Sequence, residues 1–182
     1  ITDISDSSRL DAELARSRWE ELDLRSLAGD VIALQEQIDA TPVTFVLEPQ
    51  EAPRVGFAVL GAETRLGQVL VNLITNAQSF SPEGGIIRVS LTREKGWITL
   101  VVEDQGPGIP EDRLTKIFSR FYTDRPEQDS FGRYSGLGLS ISQQIIDAHG
   151  GVIRAENAER GGKVTGARLV VRLPEMPADF RL

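Results

Sequence analysis

Asp104-Gln105-Gly106-Pro107-Gly108-Ile109-Pro110 closes the apolar run Trp97-Ile98-Thr99-Leu100-Val101-Val102, and its reading decides that of the chain around it. A carboxylate at a strand end can accept from an amine. Two glycines after it permit positive φ and let backbone approach a flat group closely. Alone, an Asp/Gly/Pro cluster is an ordinary turn. Here it has company. Asn72-Leu73-Ile74-Thr75-Asn76 lies upstream in a helical pattern, and Ser135-Gly136-Leu137-Gly138-Leu139-Ser140 opens a second helical pattern downstream.

The upstream helix is predicted over Thr64 to Phe80, where Leu66, Val69, Leu70, Leu73, Ile74 and Ala77 make a wide apolar stripe. Asn72 and Asn76 stand at i and i+4, so their amides project from one face. Two amides on such a helix need partners. They can cap or touch solvent, or they can offer hard oxygens to Mg²⁺, which keeps several waters and needs few protein ligands. The downstream cluster puts Gly136, Leu137, Gly138 and Leu139 at a helix start, where exposed amides and the dipole favour anions. A flexible loop leading into the helix would read the same way.

Further out, a helix is predicted over Leu24 to Ile38 with Asp23 as its cap. Strands are predicted over 43–47 and 55–60, and a hairpin joins 86–92 to 97–103 around Glu94-Lys95-Gly96. A short helix follows Pro110 and ends near Phe118. Residues 119–135 have no periodicity, as in a functional loop or lid. A helix over 136–149, strands over 151–157 and 168–173, and a loose tail from Pro174 complete the chain. Ile1, Ile4, Leu10 and Leu14 place a further helix at the N-terminus. From about residue 43 this is an α+β chain: a mixed sheet with helices on one face.

Hydrophobic residues make up 40% of the 182, enough for a core. No apolar run approaches the ~20 residues of a membrane span, so no direct membrane contact is expected. With no Cys there are no disulfides or thiolate metal sites. A net charge of −7 argues against nonspecific nucleic-acid binding, but a nucleotide needs only local donors and a metal ion.

In this order and spacing, the three clusters resemble the N, G1 and G2 boxes of the histidine-kinase catalytic domain. That is a two-layer α/β sandwich of the Bergerat ATP-binding type, shared with gyrase, Hsp90 and mismatch-repair ATPases. The resemblance implies ATP and Mg²⁺ as cofactors, Asn76 as the metal ligand, and Asn72 as support for metal and phosphates. It implies Asp104, with Gly106, Gly108 and Ile109, at the adenine, and Phe80 beside the ring. Gly136, Leu137, Gly138 and Leu139 fall at the triphosphate. Ile117-Phe118-Ser119-Arg120-Phe121-Tyr122 resembles the F box, and Gly162 to Ala167 the weaker G3 box.

Two cationic positions depart from the family. Ser79 stands where many relatives have Lys, and Thr123 where many have Arg. Arg120, Arg125 and Arg133 are nearby substitutes, with Arg133, just before the G2 glycines, the best placed for catalysis. Ser79 to Gly85 and Arg120 to Pro126 resemble the ChvG/BvrS-type sensor kinases of alphaproteobacteria.

The one His, His149, follows a helix and precedes Gly-Gly, which suits a helix-terminal His favoured by the dipole and not a phosphoacceptor. The resemblance therefore places the phosphoacceptor on a dimerisation domain of the same kinase, outside this chain. Residues 1–20 are read as the end of its second helix and a linker, 21–174 as the catalytic domain, and 175–182 as a tail. A response-regulator receiver domain is the implied second partner. The implied location is a cytoplasmic domain of an inner-membrane protein. The alternatives are a non-catalytic nucleotide-sensing or docking domain, and another Bergerat-fold ATPase or serine kinase. Such ATPases generally place Glu where Asn72 stands, and Asn cannot act as a general base.

Overall fold

The computed structural model describes residues 16–38, 43–51, 53–120, 122 and 137–176. Most of the expected N-terminal helix and of the expected lid lies outside these residues. Five strands make a mixed sheet in the order β2-β4-β5-β7-β6: β2 (Thr44–Glu48), β4 (Ile86–Glu94), β5 (Trp97–Glu103), β6 (Val152–Arg160) and β7 (Lys163–Pro174). Only the β2–β4 pair is parallel. A second, two-stranded sheet pairs β1 (Glu20–Asp23) with β3 (Ala58–Gly61). The α-helices that lie wholly within the described residues are α1 (Leu24–Ile38), α2 (Glu63–Phe80) and α3 (Gly138–Ala148).

Period-two patterning builds the sheet. Register sets Val89 opposite Val102 and Leu100 opposite Val171, so Ile87, Val89, Leu91, Ile98, Leu100, Val102, Leu169, Val171 and Leu173 share one face. Leu66, Val69, Leu70, Leu73 and Ile74 of α2 close over that face with Ile145 and Ile146 of α3, in one continuous core. Each such side chain contributes roughly 1.5–3 kcal/mol by leaving water. The other face is polar: Arg88 pairs with Glu48, Arg168 Nε lies 2.5 Å from Glu103, and the Arg172 guanidinium sits 5.0 Å from the Trp97 ring. This is the expected α+β arrangement, a mixed sheet with helices on one face.

Asp23 caps α1 as expected, its Oδ1 accepting from Ser26 N–H at 2.9 Å. Its Oδ2 accepts from Phe57 N–H at 3.0 Å, tying the cap to the start of β3. The β4–β5 hairpin turns on Lys95 (φ 52°) and Gly96 (φ 78°), the two positive φ values that match strand twist.

Four expectations change. The short strand β1 has no periodic signal in Glu-Glu-Leu-Asp and forms only because β3 lies beside it. β3 itself begins at Ala58, because Phe57 exchanges hydrogen bonds with Asp23 and Leu24. The helix expected after Pro110 is two 3-10 turns, Glu111–Arg113 and Lys116–Phe118, in keeping with the poor nucleation of so short a segment. β7 starts at Lys163, so the expected G3 segment is a Gly161-Gly162 turn plus the first half of a strand. The chain just after β7 is also tied down. Glu175 N–H donates to Gly96 C=O at 2.8 Å and Met176 N–H to Ala58 C=O at 2.9 Å.

Candidate functional site

β5 ends at Glu103, but the ladder runs one residue further through a side chain. Asp104 N–H donates to Ala167 C=O (3.0 Å), and Asp104 Oδ1 accepts from Ala167 N–H (3.0 Å) and Gly106 N–H (2.8 Å). Only 6% of Asp104 is exposed. Its Oδ2 has no hydrogen-bond partner among the described residues, so a fixed carboxylate presents one unused acceptor. Burial pushes its pKa up, the Ala167 and Gly106 amides pull it back, and Glu103 adds to the rise.

Two glycines explain the close packing. A Cβ on Gly106 would stand 2.7 Å from Phe80 C=O, so the C-terminus of α2 lies directly on the loop. Gly108 adopts φ +80°, with Val164 and Asn157 against its Cα. Gly166 on β7 is also obligatory, because any Cβ there would overlap the Asp104 carbonyl.

Asn72 and Asn76 lie one turn apart on α2 and differ in use. The Asn72 amide nitrogen donates to Gly138 C=O (3.1 Å) and to Ser142 Oγ (3.2 Å), and Ser142 Oγ donates to the same carbonyl (2.8 Å). A carbonyl can only accept, so the nitrogen must face α3. Asn72 therefore joins α2 to α3 and keeps only its oxygen for other work. The half-buried Asn76 side chain makes no hydrogen bond among the described residues. Its free amide oxygen fits the hard-donor chemistry of Mg²⁺.

At α3, Ile141 N–H makes the first helical bond, to Leu137 C=O (2.9 Å). The Gly138, Leu139 and Ser140 amides precede it and have no acceptor within the helix. Among the described residues no side chain caps this end. Leu137 and Leu139 are half-buried, and Leu139 packs on the core. Phe80 is 39% exposed at the end of α2, and Arg120 is half-buried after the second 3-10 turn. Phe118 of the expected F box is in the core. Arg133 and Gly136 lie outside the described residues.

The structure thus brings Asn72 against Gly138 and Phe80 against Gly106. Sequence reasoning named Ala167 in the G3 segment but not its hold on Asp104, and it missed two partners: Ser142, which holds Asn72, and Asn157, whose amide meets Ile109 with Oδ1 on its N–H (2.7 Å) and Nδ2 on its C=O (2.8 Å). Of those two, only Ser142 had a local signal, four residues after Gly138 on a helix face.

His149 differs from expectation. It is buried, its Nδ1 lies 2.7 Å from Ile145 C=O, and its Nε2 accepts from Ala62 N–H at 3.1 Å. That pattern requires the neutral ring, with the proton on Nδ1. Burial lowers its pKa, only partly offset by the Ile145 carbonyl. A charged His held by the helix dipole is therefore replaced by a neutral one.

The chain belongs to the family of histidine kinase-, DNA gyrase B- and HSP90-like ATPases, whose model matches residues 61–177. The sensor protein ChvG of Rhizobium meliloti (strain 1021) is 52% identical over 97% of this chain and 32% of its own length. The chain thus spans about a third of the length of the curated ChvG relatives it matches. Among solved structures, a mycobacterial sensor histidine kinase, MprB, superposes with a TM-score of 0.73 at 28% identity, over 88% of this chain and 99% of that one. The histidine kinase ThkA in complex with the response regulator protein TrrA gives 0.68 at 28% identity, over 99% of this chain and 50% of that one.

Proposed function

We propose that this chain is the catalytic domain of a sensor histidine kinase, binding ATP with Mg²⁺ between α2, the Asp104 loop and the start of α3. The observation that carries the reading is the Asp104 carboxylate, with one oxygen spent on two backbone amides and the other left open. Adenine supplies an exocyclic amine for that oxygen, and Gly106, Gly108, Ile109 and Phe80 border the ring. The amides at the start of α3 face the phosphates.

Asn76 holds Mg²⁺, with Asn72 beside it. Bound there, Mg²⁺ neutralises charge on the phosphate oxygens. The residues themselves bind and orient, so the γ-phosphoryl group is presented in line to a His of a dimerisation domain in the same kinase. A response-regulator receiver domain receives it next, as the ThkA–TrrA complex suggests for a relative. No helix among the described residues is long and apolar enough to cross a membrane. We place this domain in the cytoplasm, in a protein anchored in the inner membrane. Asn72 disfavours a hydrolytic reading, because an amide locked onto α3 is no base for water.

Calorimetry of ATP·Mg²⁺ into wild type and Asp104→Asn tests this. Loss of a hydrogen bond to a charged acceptor lowers affinity by roughly tenfold to a hundredfold. Equal affinities, or no binding by folded wild type, would end the adenine assignment. A dimerisation domain added in trans then reports phosphoryl transfer.

A further inference from the structure

The Asp104 loop is held at both ends, and the second hold has no role in the reading above. Asn157 on β6 meets both backbone groups of Ile109: Oδ1 accepts from its N–H at 2.7 Å, and Nδ2 donates to its C=O at 2.8 Å. An N–H only donates and a C=O only accepts, so the amide orientation is set by its partners. Among side chains, only Asn and the longer Gln carry a neutral acceptor and donor side by side on one carbon; an ionised Asp offers two acceptors. Asn157 is also the cross-strand neighbour of Ala167, whose N–H holds Asp104. Adjacent residues on β6 and β7 thus grip opposite ends of one loop. The register shift just beyond, at Ala158/Glu159, bends the strands where the grip is made. Gly108, between the two ends, has its Cα against Asn157 Oδ1 and Val164, in a conformation that L side chains rarely adopt.

We propose that Asn157 is a positioning residue that presets the Asp104–Pro110 loop for the adenine ring. This rests on reading Asp104 as the adenine acceptor. A loop with two glycines has much backbone freedom to lose on binding, and fixing it in advance lets the ligand keep that free energy as affinity. Among the described residues the Asn157 side chain hydrogen-bonds to backbone alone, and it acts through Ile109.

The test combines amide hydrogen exchange with calorimetry of ATP·Mg²⁺ on Asn157→Ala and Asn157→Asp; the second fills the same volume should the first fold poorly. Expected are exchange at Gly108 and Ile109 faster by about tenfold or more, unchanged protection at Gly106 and Ala167, and ATP affinity lower by about 10–100-fold, the usual range for supporting residues around a site. Three results overturn the proposal: wild-type exchange at Ile109 in a folded variant, faster exchange at Ile109 with unchanged affinity, or protection lost equally at Gly106, Ala167 and along β7, which would make Asn157 a support of the sheet only. If wild type binds no ATP, the adenine reading fails and takes the presetting role with it. The exchange data then still show whether the clamp holds the loop.

Discussion

At the scale of single residues, Asp104 carries the strongest constraint. Folding raises its pKa above 3.8, so its stabilising contribution is fully present below 3.8 and is lost as pH rises through the folded value. The ionised group therefore costs stability at neutral pH while serving as an acceptor. ATP affinity is expected to hold steady from neutral pH downwards and then fall as Asp104 takes up a proton, at a higher pH than an ordinary Asp would require. Calorimetric titrations from neutral to about pH 4 follow this, with phosphate titration subtracted using free ATP. A flat profile would contradict it. Asp104→Asn removes the burial cost and is expected to melt no lower than wild type at neutral pH. Asp104 was legible in the sequence because its glycines follow within a few residues. Asn157 was not, because its partner lies 48 residues away and a lone Asn on a strand has no distinguishing neighbour.

Among the elements, the ends of the helices settle the geometry. Ala62, the N-cap residue just before α2, makes no side-chain cap, and His149 from the end of α3 accepts the Ala62 N–H, the bond that a Glu at the third helical position makes in a capping box. The same ring stacks on Trp19, 4.5 Å between centroids, just ahead of β1. His149 thus joins α2, α3 and the chain leading into β1. Its folded pKa lies below 6.5, so its contribution is fully present above 6.5 and lost as pH falls through the folded value. His149→Ala orphans a buried donor and is expected to cost about 1–3 kcal/mol in urea denaturation at neutral pH. The deficit against wild type should shrink under acid conditions, and a constant deficit would show that protonation of the ring is not coupled to folding. The sequence placed His149 at a helix end correctly. Its charge state was not legible, since burial comes from Trp19 and Ala62 on other elements.

For the molecule as a whole, the core and the site share one helix. Leu73 is fully buried and stands between Asn72 and Ile74 on α2. Leu73→Ala is expected to cost about 2–5 kcal/mol, seen as a lower denaturation midpoint at unchanged slope. Saturating ATP·Mg²⁺ should return part of the loss, because a ligand that binds only the folded state stabilises it by mass action. A changed slope would mean that α2 unfolds apart from the sheet.

The sequence by itself determined the period-two strands, the amphipathic α2, the β4–β5 hairpin and the three polar clusters, because each is written within a few consecutive residues by alternation, helical spacing or glycine. Only the tertiary structure decided the pairing of β1 with β3, the early start of β7, the neutral His149, and the grips of Ala167 and Asn157 on the Asp104 loop. Those depend on backbone groups brought together from distant segments, and a backbone N–H or C=O is the same in every residue that has one.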